Sequence, residues 1–456
     1  MKRLVPTEKS RRKRNLYRPL VLGFLLIILA GALLLMLPIS SADGKTTPFI
    51  NTLFTATSAT CITGLVVYDT ATQWSFFGQA VILCMIQIGG LGFMTLGSAL
   101  MLLLRGDTSL SNRKQIAESL NTTDYRTAVG TMKHVLAGTA AFEGAGALIL
   151  AVRFIPEYGW GNGIWKGVFT SISAFCNAGF DLMGTDAPFS SLTAYRGDWV
   201  VNLTVMGLIV IGGLGFLVWE DLYTKRRFKD LSIFSKTVLT VSGILIIGGA
   251  VLIFLFERNN PETLANASGK EKLLASFFQS VSPRTAGMNT IDLAAMTEAS
   301  QVLTVILMFI GASTGSTGGG VKITTVVVLA AALRSVLTGR KDAVLLKRRI
   351  SSDLVYRAFA LVFFPFVAVL VCAFVINGVE GDVGFIQALY ECTSAFATVG
   401  LSLSVTPTLT MCSKIILMLL MFSGRVGMLT ISYALLTDRR KRKNTLRYPE
   451  GTILIG

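Results

Sequence analysis

The sequence predicts an all-α polytopic membrane protein made of four similar units, and three observations predict it. The 456 residues are 52% hydrophobic and only 15% charged, with a mean hydropathy of +0.62, whereas a soluble domain carries nearer a quarter charged residues. Apolar runs recur that are long enough to cross a bilayer, which takes about 20 helical residues. Between those runs a twelve-residue pattern of small and hydroxyl residues returns four times.

The net charge of +16 could suggest a nucleic-acid partner, but its placement argues otherwise. Lys and Arg cluster in MKRLVPTEKSRRKRNLYR, in residues 105–133, in TKRRFK, in GRKDAVLLKRR and in DRRKRKNTLR. Loops alternately rich and poor in Lys/Arg are the pattern of a membrane protein with its basic loops inside. Both termini are therefore expected in the cytoplasm, with an even number of spans. The basic start and the lack of a small-residue cleavage site after Leu37 argue against a secretory signal. Cys61, Cys84, Cys176, Cys372, Cys392 and Cys412 form no CxxC pair and fall mostly in apolar stretches. They read as small embedded side chains. His134 has no His, Cys or carboxylate neighbour in sequence, so neither metal binding nor catalysis is expected there.

The four repeated segments are FTATSATCITGL from Phe54, FTSISAFCNAGF from Phe169, FFQSVSPRTAGM from Phe277 and YECTSAFATVGL from Tyr390. Each opens on an aromatic residue and carries glycine at one fixed position: Gly64, Gly179, Gly287 and Gly400. A long apolar run precedes each (20–37, 135–154, 238–256, 355–376) and another follows (80–104, 200–219, 302–333, 415–436). The short apolar stretch that leads into each segment cannot span a bilayer. Each unit thus reads as helix, half-helix, extended loop, helix, giving eight full spans and four re-entrant half-helices. The expected divisions are a basic N-terminus (1–19), a first unit (20–104), linker and second unit (105–219), linker and third unit (220–337), linker and fourth unit (338–437), and a tail (438–456). A plain bundle with glycine packing motifs would not explain hydroxyl-rich, non-helical sequence at one place in every unit.

Non-helical backbone at membrane depth is tolerated where it lines a cavity. Four such loops about one axis would present rings of carbonyl oxygens, which can replace the hydration shell of a monovalent cation. Glycine at a fixed place opens backbone conformations closed to other residues, and the negative C-terminal ends of the half-helices also favour a cation. The loops hold few carboxylates, so an acidic ring selecting divalent ions is not expected.

These segments, with IQIGGLGF, IGGLGF, PRTAGMN, the Gly-rich stretch GASTGSTGGGVK and the ending YPEGTILIG, resemble the Trk/Ktr/HKT potassium-transporter superfamily, in particular its KtrB-type membrane subunit, over nearly the whole chain. The resemblance implies a potassium pore of four M1–P–M2 units about a pseudo-fourfold axis in a bacterial-type plasma membrane, with K+ as the transported ion and Na+ as a candidate activator. It implies a homodimer with its C-terminal tail at the interface, and a separate nucleotide-binding KtrA-type ring in the cytoplasm. The filter it implies comprises Thr63 and Gly64; Asn177, Ala178 and Gly179; Thr285, Ala286 and Gly287; and Thr398, Val399 and Gly400. In plant relatives serine at the first glycine position accompanies sodium preference; Gly64 here favours potassium.

GASTGSTGGGVK, residues 311–322, interrupts the apolar run 302–333. It is not a phosphate loop, because Gly320 is followed by Val321 instead of Lys and no strand precedes it. A passive kink is a second reading. The resemblance implies a third, an intramembrane loop gating the pore beneath the filter: Gly311, Ala312, Ser313, Thr314, Gly315, Ser316, Thr317, Gly318, Gly319, Gly320 and Lys322, with Arg425 as latch or electrostatic barrier. Arg425 stands where the first two units carry Gly90 and Gly213. An intramembrane charge is costly and marks function unless it snorkels to the surface. Glu143 is expected as a structural partner for backbone or a lysine, and Lys322 either anchors the loop or faces a cytoplasmic cavity. No catalytic constellation is present and an enzyme is not expected. A sodium- or proton-coupled symporter is the alternative, although symporter folds with broken helices often show inverted repeats.

Overall fold

The computed structural model describes residues 17–92, 125–185, 187–340, 342–427 and 430. The described residues are predominantly helical, in keeping with the chain's hydropathy. In order the main helices are α1 (Tyr17–Met36), α2 (Phe49–Thr60), α3 (Phe76–Leu91), α4 (Tyr125–Cys176), α5 (Trp199–Leu214), α6 (Phe216–Lys225), α7 (Ile233–Glu257), α8 (Gly269–Val281), α9 (Glu298–Phe309), α10 (Ile323–Leu337), α11 (Ser352–Val379), α12 (Phe385–Ala397) and α13 (Met411–Val426). Among the described residues the strands are one short antiparallel hairpin, Val344–Leu345 with Arg348–Arg349.

Two kinds of helix can be told apart by what they bury. The long apolar helices expose leucine, isoleucine and phenylalanine outward, as Leu22, Leu26, Ile244, Ile247, Phe363 and Phe374 show. A helix that is apolar all round suits a lipid surround. The short helices α2, α8 and α12 do the reverse. Their threonines, serines and alanines are buried inside the protein: Thr55, Thr57 and Ser58 in α2, Ser276 and Ser280 in α8, Thr393 and Ser394 in α12. The second part of α4 is of this kind. Gly159 (φ 79°) breaks α4, and beyond it Thr170, Ser171 and Ser173 are fully buried. Some of these hydroxyls donate to the preceding turn, as Thr57 to Leu53 O at 2.7 Å and Thr393 to Leu389 O at 2.7 Å, and others reach neighbouring elements, as Ser171 to Glu143 O at 2.7 Å.

Helix starts follow ordinary capping chemistry. Ser75 accepts from Gly78 N at 3.3 Å, Asp198 from Val200 N and Val201 N, and Ser268 forms a capping box with Glu271. Two acids tie the end of one helix to the start of another. Glu257 accepts from Thr297 N (2.9 Å) and Thr297 Oγ1 (2.7 Å), and Glu380 from Thr410 N (2.8 Å) and Thr410 Oγ1 (2.7 Å). These bonds fix where α9 and α13 enter the bundle.

By length and composition three helical segments among the described residues can cross a membrane, His134–Cys176, Ile233–Glu257 and Ser352–Val379, and a fourth if the bent pair Trp199–Leu214 and Phe216–Lys225 counts as one span. The second apolar run of each unit departs from the sequence expectation. It was expected to be one unbroken helix in the first, second and fourth units. Instead Gly92 (φ 81°), Gly215 (φ 91°) and Gly427 (φ 90°) stop it at the same distance past the N-caps Ser75, Asp198 and Thr410. At Gly215 the chain turns by 93°. Positive φ ends a right-handed helix, and glycine bears it without a Cβ clash. The matching place in the third unit falls inside 311–322.

Candidate functional site

The loops that follow the four buried helices meet one another. Two residues before each repeated glycine the backbone is left-handed, at Ile62 (φ 57°), Asn177 (φ 57°), Thr285 (φ 74°) and Thr398 (φ 53°), and it is left-handed again at Gly64 (φ 92°), Gly179 (φ 73°), Gly287 (φ 76°) and Gly400 (φ 94°). The glycines close a ring. A Cβ built on Gly64 would lie 2.9 Å from Gly179 Cα, one on Gly179 3.0 Å from Gly287 Cα, one on Gly287 3.2 Å from Gly400 Cα, and one on Gly400 2.8 Å from Gly64 Cα. The same added atoms would strike the carbonyl oxygens of Ala178, Ala286, Val399 and Thr63 in turn. Any side chain at these four positions would have to push a neighbouring loop aside.

Serines inside the repeated segments hold the loops. Ser58 accepts from Gly64 N with its Oγ (3.0 Å) and from Thr63 N with its carbonyl (2.8 Å); Ser394 does the same for Gly400 N (3.0 Å) and Val399 N (2.9 Å). In the second loop Ser173 O accepts from Ala178 N at 2.8 Å, and the Asn177 amide pairs with the Thr285 hydroxyl of the third loop at 3.2 Å. In the third, Ser282 O accepts from Ala286 N at 2.9 Å and Ser282 Oγ donates to Met288 O. Arg284, buried beside this loop, donates to Ser242 O (3.4 Å) and Ser242 Oγ (3.2 Å).

On one side the ring floors a cavity of about 650 Å³. Asp69, Asp181, Asp292 and Arg196 stand in its wall, with Phe189, Ser191, Asn289 and Ser402. Asp181 lies in the loop outside the helices. Its burial, reinforced by the charge of Asp69, lifts its carboxyl to about 6.

On the other side the segment 311–322 covers the ring. It leaves α9 and returns to α10 through a short parallel pairing of Ile310 with Val321, in which Gly311 N donates to Val321 O at 2.9 Å. The bend of the second unit receives it. Ser313 N donates to Gly213 O (3.1 Å), Thr317 N to Gly212 O (3.4 Å), and Phe216 N to Gly315 O (2.9 Å). Thr317 Oγ1 donates to Phe175 O at 3.3 Å and Ser316 Oγ to Ser313 O at 2.6 Å, so hydroxyls serve carbonyls that a helix would have satisfied. The triple glycine lies under the loops. A Cβ on Gly318 would strike the Thr285 hydroxyl, one on Gly319 the Thr398 hydroxyl, and one on Gly320 would sit 3.1 Å from Ala397 Cα. Ala312 and Ser313 are buried among these contacts, and the Thr314 hydroxyl meets that of Thr324 at 3.1 Å.

Two cations finish the assembly. Lys322 Nζ turns back on its own segment and donates to Gly318 O (2.7 Å) and Gly319 O (3.4 Å). Arg425, near the end of α13, donates to Thr317 O with one amino group and to Gly89 O with the other. It thus joins the segment to α3, and its guanidinium is not at the surface. Every residue singled out by sequence as filter or gate falls in this one assembly.

Other expectations fare differently. Glu143 was expected to serve backbone or a lysine. It accepts instead from Gln87 Nε2 (3.1 and 3.2 Å) and from Cys176 Sγ at 3.7 Å. His134 faces the ring of Tyr223 at 6.2 Å. The tail YPEGTILIG and the first basic cluster as far as Leu16 lie outside the described residues. The sequence reading missed Glu391, whose carboxylate is buried behind the fourth loop and bonds Ser402, Leu403 and Thr406. The signal was an acid at the second position of a segment whose other copies carry Thr55, Thr170 and Phe278.

The family model for the cation transport protein TrkH matches residues 6–443. The chain belongs to the TrkH cation transport protein family. It is 40% identical over 437 residues to the Ktr system potassium uptake protein B of Bacillus subtilis, covering 96% of each chain. It is 38% identical over 453 residues to the potassium/sodium uptake protein NtpJ of Enterococcus hirae, covering 98% of this chain and 99% of that one. The fold is that of the potassium transporter TrkH from Vibrio parahaemolyticus, with a TM-score of 0.72 at 17% identity, over 94% of this chain and 86% of that one.

Proposed function

We propose that this family member is the potassium-translocating membrane subunit of a Ktr-type uptake system. The observation that carries the reading is the closed ring of Gly64, Gly179, Gly287 and Gly400 with the segment 311–322 lying directly beneath it. Alternating left-handed residues flip successive peptide planes, so neighbouring carbonyls can be brought to one side. Four such loops supply the oxygens that replace a potassium ion's water shell. On this reading Thr63 to Gly64, Asn177 to Gly179, Thr285 to Gly287 and Thr398 to Gly400 form the filter, and the four units are M1–P–M2 repeats giving eight spans around one axis. The segment 311–322 obstructs the path, and Arg425 and Lys322 hold it closed through carbonyls. The name of the relative, one protein of a Ktr system, supports a separate regulatory partner. We place a cytoplasmic nucleotide-binding ring there, with both termini cytoplasmic and a homodimer held by the C-terminal tail.

A second reading is sodium- or proton-coupled symport, favoured by the relative named for both potassium and sodium uptake. Purified protein in proteoliposomes separates the two. Downhill potassium flux without any sodium or proton gradient supports the channel; flux that runs only with one of those gradients supports the symporter.

A further inference from the structure

We infer that Glu391 is a positioning residue that sets ion selectivity by clamping the fourth loop from outside the ring. This rests on the ring being the filter, as proposed above. Glu391 sits on α12, is 1% exposed, and spends both carboxylate oxygens on the chain that leaves Gly400. Oε1 accepts from Ser402 Oγ (2.6 Å) and Leu403 N (3.0 Å), and Oε2 accepts from Thr406 Oγ1 (2.6 Å). Ser402 also lines the outer cavity. Gly400 is therefore held from both ends by one helix: Ser394 Oγ takes its N–H at 3.0 Å and Glu391 takes the residues just beyond it.

The other loops are tied outside the ring by different side chains. Asn51 donates to the Tyr68 hydroxyl at 2.7 Å, Lys166 to the Thr185 hydroxyl at 3.3 Å, and Ser282 to Met288 O. Asp69 and Asp181, which accept from Phe189 N (2.7 Å) and Met183 N (3.0 Å), lie beyond the glycines of the first two loops; Glu391 differs in reaching from the helix that enters its loop to three donors beyond the glycine. All three donors converge on this one side chain, so its loss frees three bonds at once. The clamp acts where the ring is tightest. An added atom on Gly400 would strike Thr63 O and lie 2.8 Å from Gly64 Cα, so the place of the fourth loop sets the clearance to the first. Discrimination between two monovalent cations depends on the spacing and freedom of such oxygens. Releasing the loop should admit sodium without closing the path.

The test is potassium and sodium uptake into proteoliposomes by wild type, Glu391→Ala, Glu391→Gln and Thr406→Val, each normalised to protein incorporated. Glutamine keeps one acceptor oxygen for three donors, and valine removes one donor, so both serve if alanine fails to fold. The expected result is a potassium half-saturation raised about tenfold in Glu391→Ala and about threefold in the milder variants, with potassium-over-sodium preference falling in step and maximal potassium rate kept within about twofold. Glu257→Gln, which loosens a buried carboxylate clamp between the end of α7 and the start of α9, should lower yield and leave both quantities alone. Gly400→Ser separates the clamp from the filter reading. If Gly400→Ser alters selectivity while Glu391→Gln and Thr406→Val match wild type, the clamp is overturned. If Gly400→Ser also matches wild type, the filter reading falls and the clamp falls with it.

Discussion

At the scale of single residues, the four repeated glycines do two separate things. Their φ angles lie between 73° and 94°, where a Cβ costs roughly 1–2 kcal/mol, and each Cα faces the next loop with no room for a methyl. A serine at Gly64 meets both obstacles, with Gly179 Cα 2.9 Å from its Cβ. Gly64→Ser should therefore weaken preference for potassium over sodium. Equal changes at Gly179 and Gly287 should raise the potassium half-saturation, read from uptake kinetics in a potassium-transport-deficient strain. Asp181 adds a pH dependence. Its carboxyl is raised to about 6, so its charge is present above that pH and lost as pH falls through it. Potassium half-saturation should rise as external pH drops from about 7 to about 5, and Asp181→Asn should flatten the profile at the low-pH value. A profile unchanged by Asp181→Asn would assign the dependence elsewhere. The glycines were legible in the sequence because fourfold repetition marks them. Glu391 was not, because a sequence records an acid on a helix without saying which way it turns.

At the scale of elements, the segment 311–322 decides between a kink and an obstruction. Its glycines suggested looseness, yet it is held by Gly212, Gly213, Phe175, Phe216 and Arg425 through five bonds. Bonds of this kind are worth about 1 kcal/mol each net of water, so a partner that favours another arrangement by a few kcal/mol can shift it. Deleting residues 313–319 should raise the per-molecule maximal potassium rate, with half-saturation little changed. Arg425→Ala should partly mimic it by freeing Thr317 O and Gly89 O. Rates at or below wild type in both variants would leave only a kink. The break itself was plain in the sequence, since no membrane helix tolerates that composition. Its dock against the bend at Gly215 was not. IGGLG reads equally as a packing motif, and only the backbone shows that Gly92, Gly215 and Gly427 end their helices.

At the scale of the whole molecule, hydropathy marked a helical membrane protein. Span number was harder to read. Helices of 12 to 16 residues such as α3, α9 and α13 fall short of the length by which a span is recognised, because glycine or the loop cuts each apolar run near its middle. The assembly is the remaining question at this scale. If the proposed homodimer is held by the C-terminal tail, truncation after Arg447, which removes the apolar end YPEGTILIG, should weaken it in light scattering; an unchanged dimer from well-folded truncated protein would count against that interface.

The central claim is that monovalent cations pass through the glycine ring and are sorted there. The most direct measurement is the ratio of potassium to sodium uptake by wild type and Gly64→Ser in the same proteoliposomes, at equal incorporation. A clear preference for potassium in wild type that collapses toward unity in Gly64→Ser, with flux retained, is the result this account predicts. An identical preference in both proteins would contradict it.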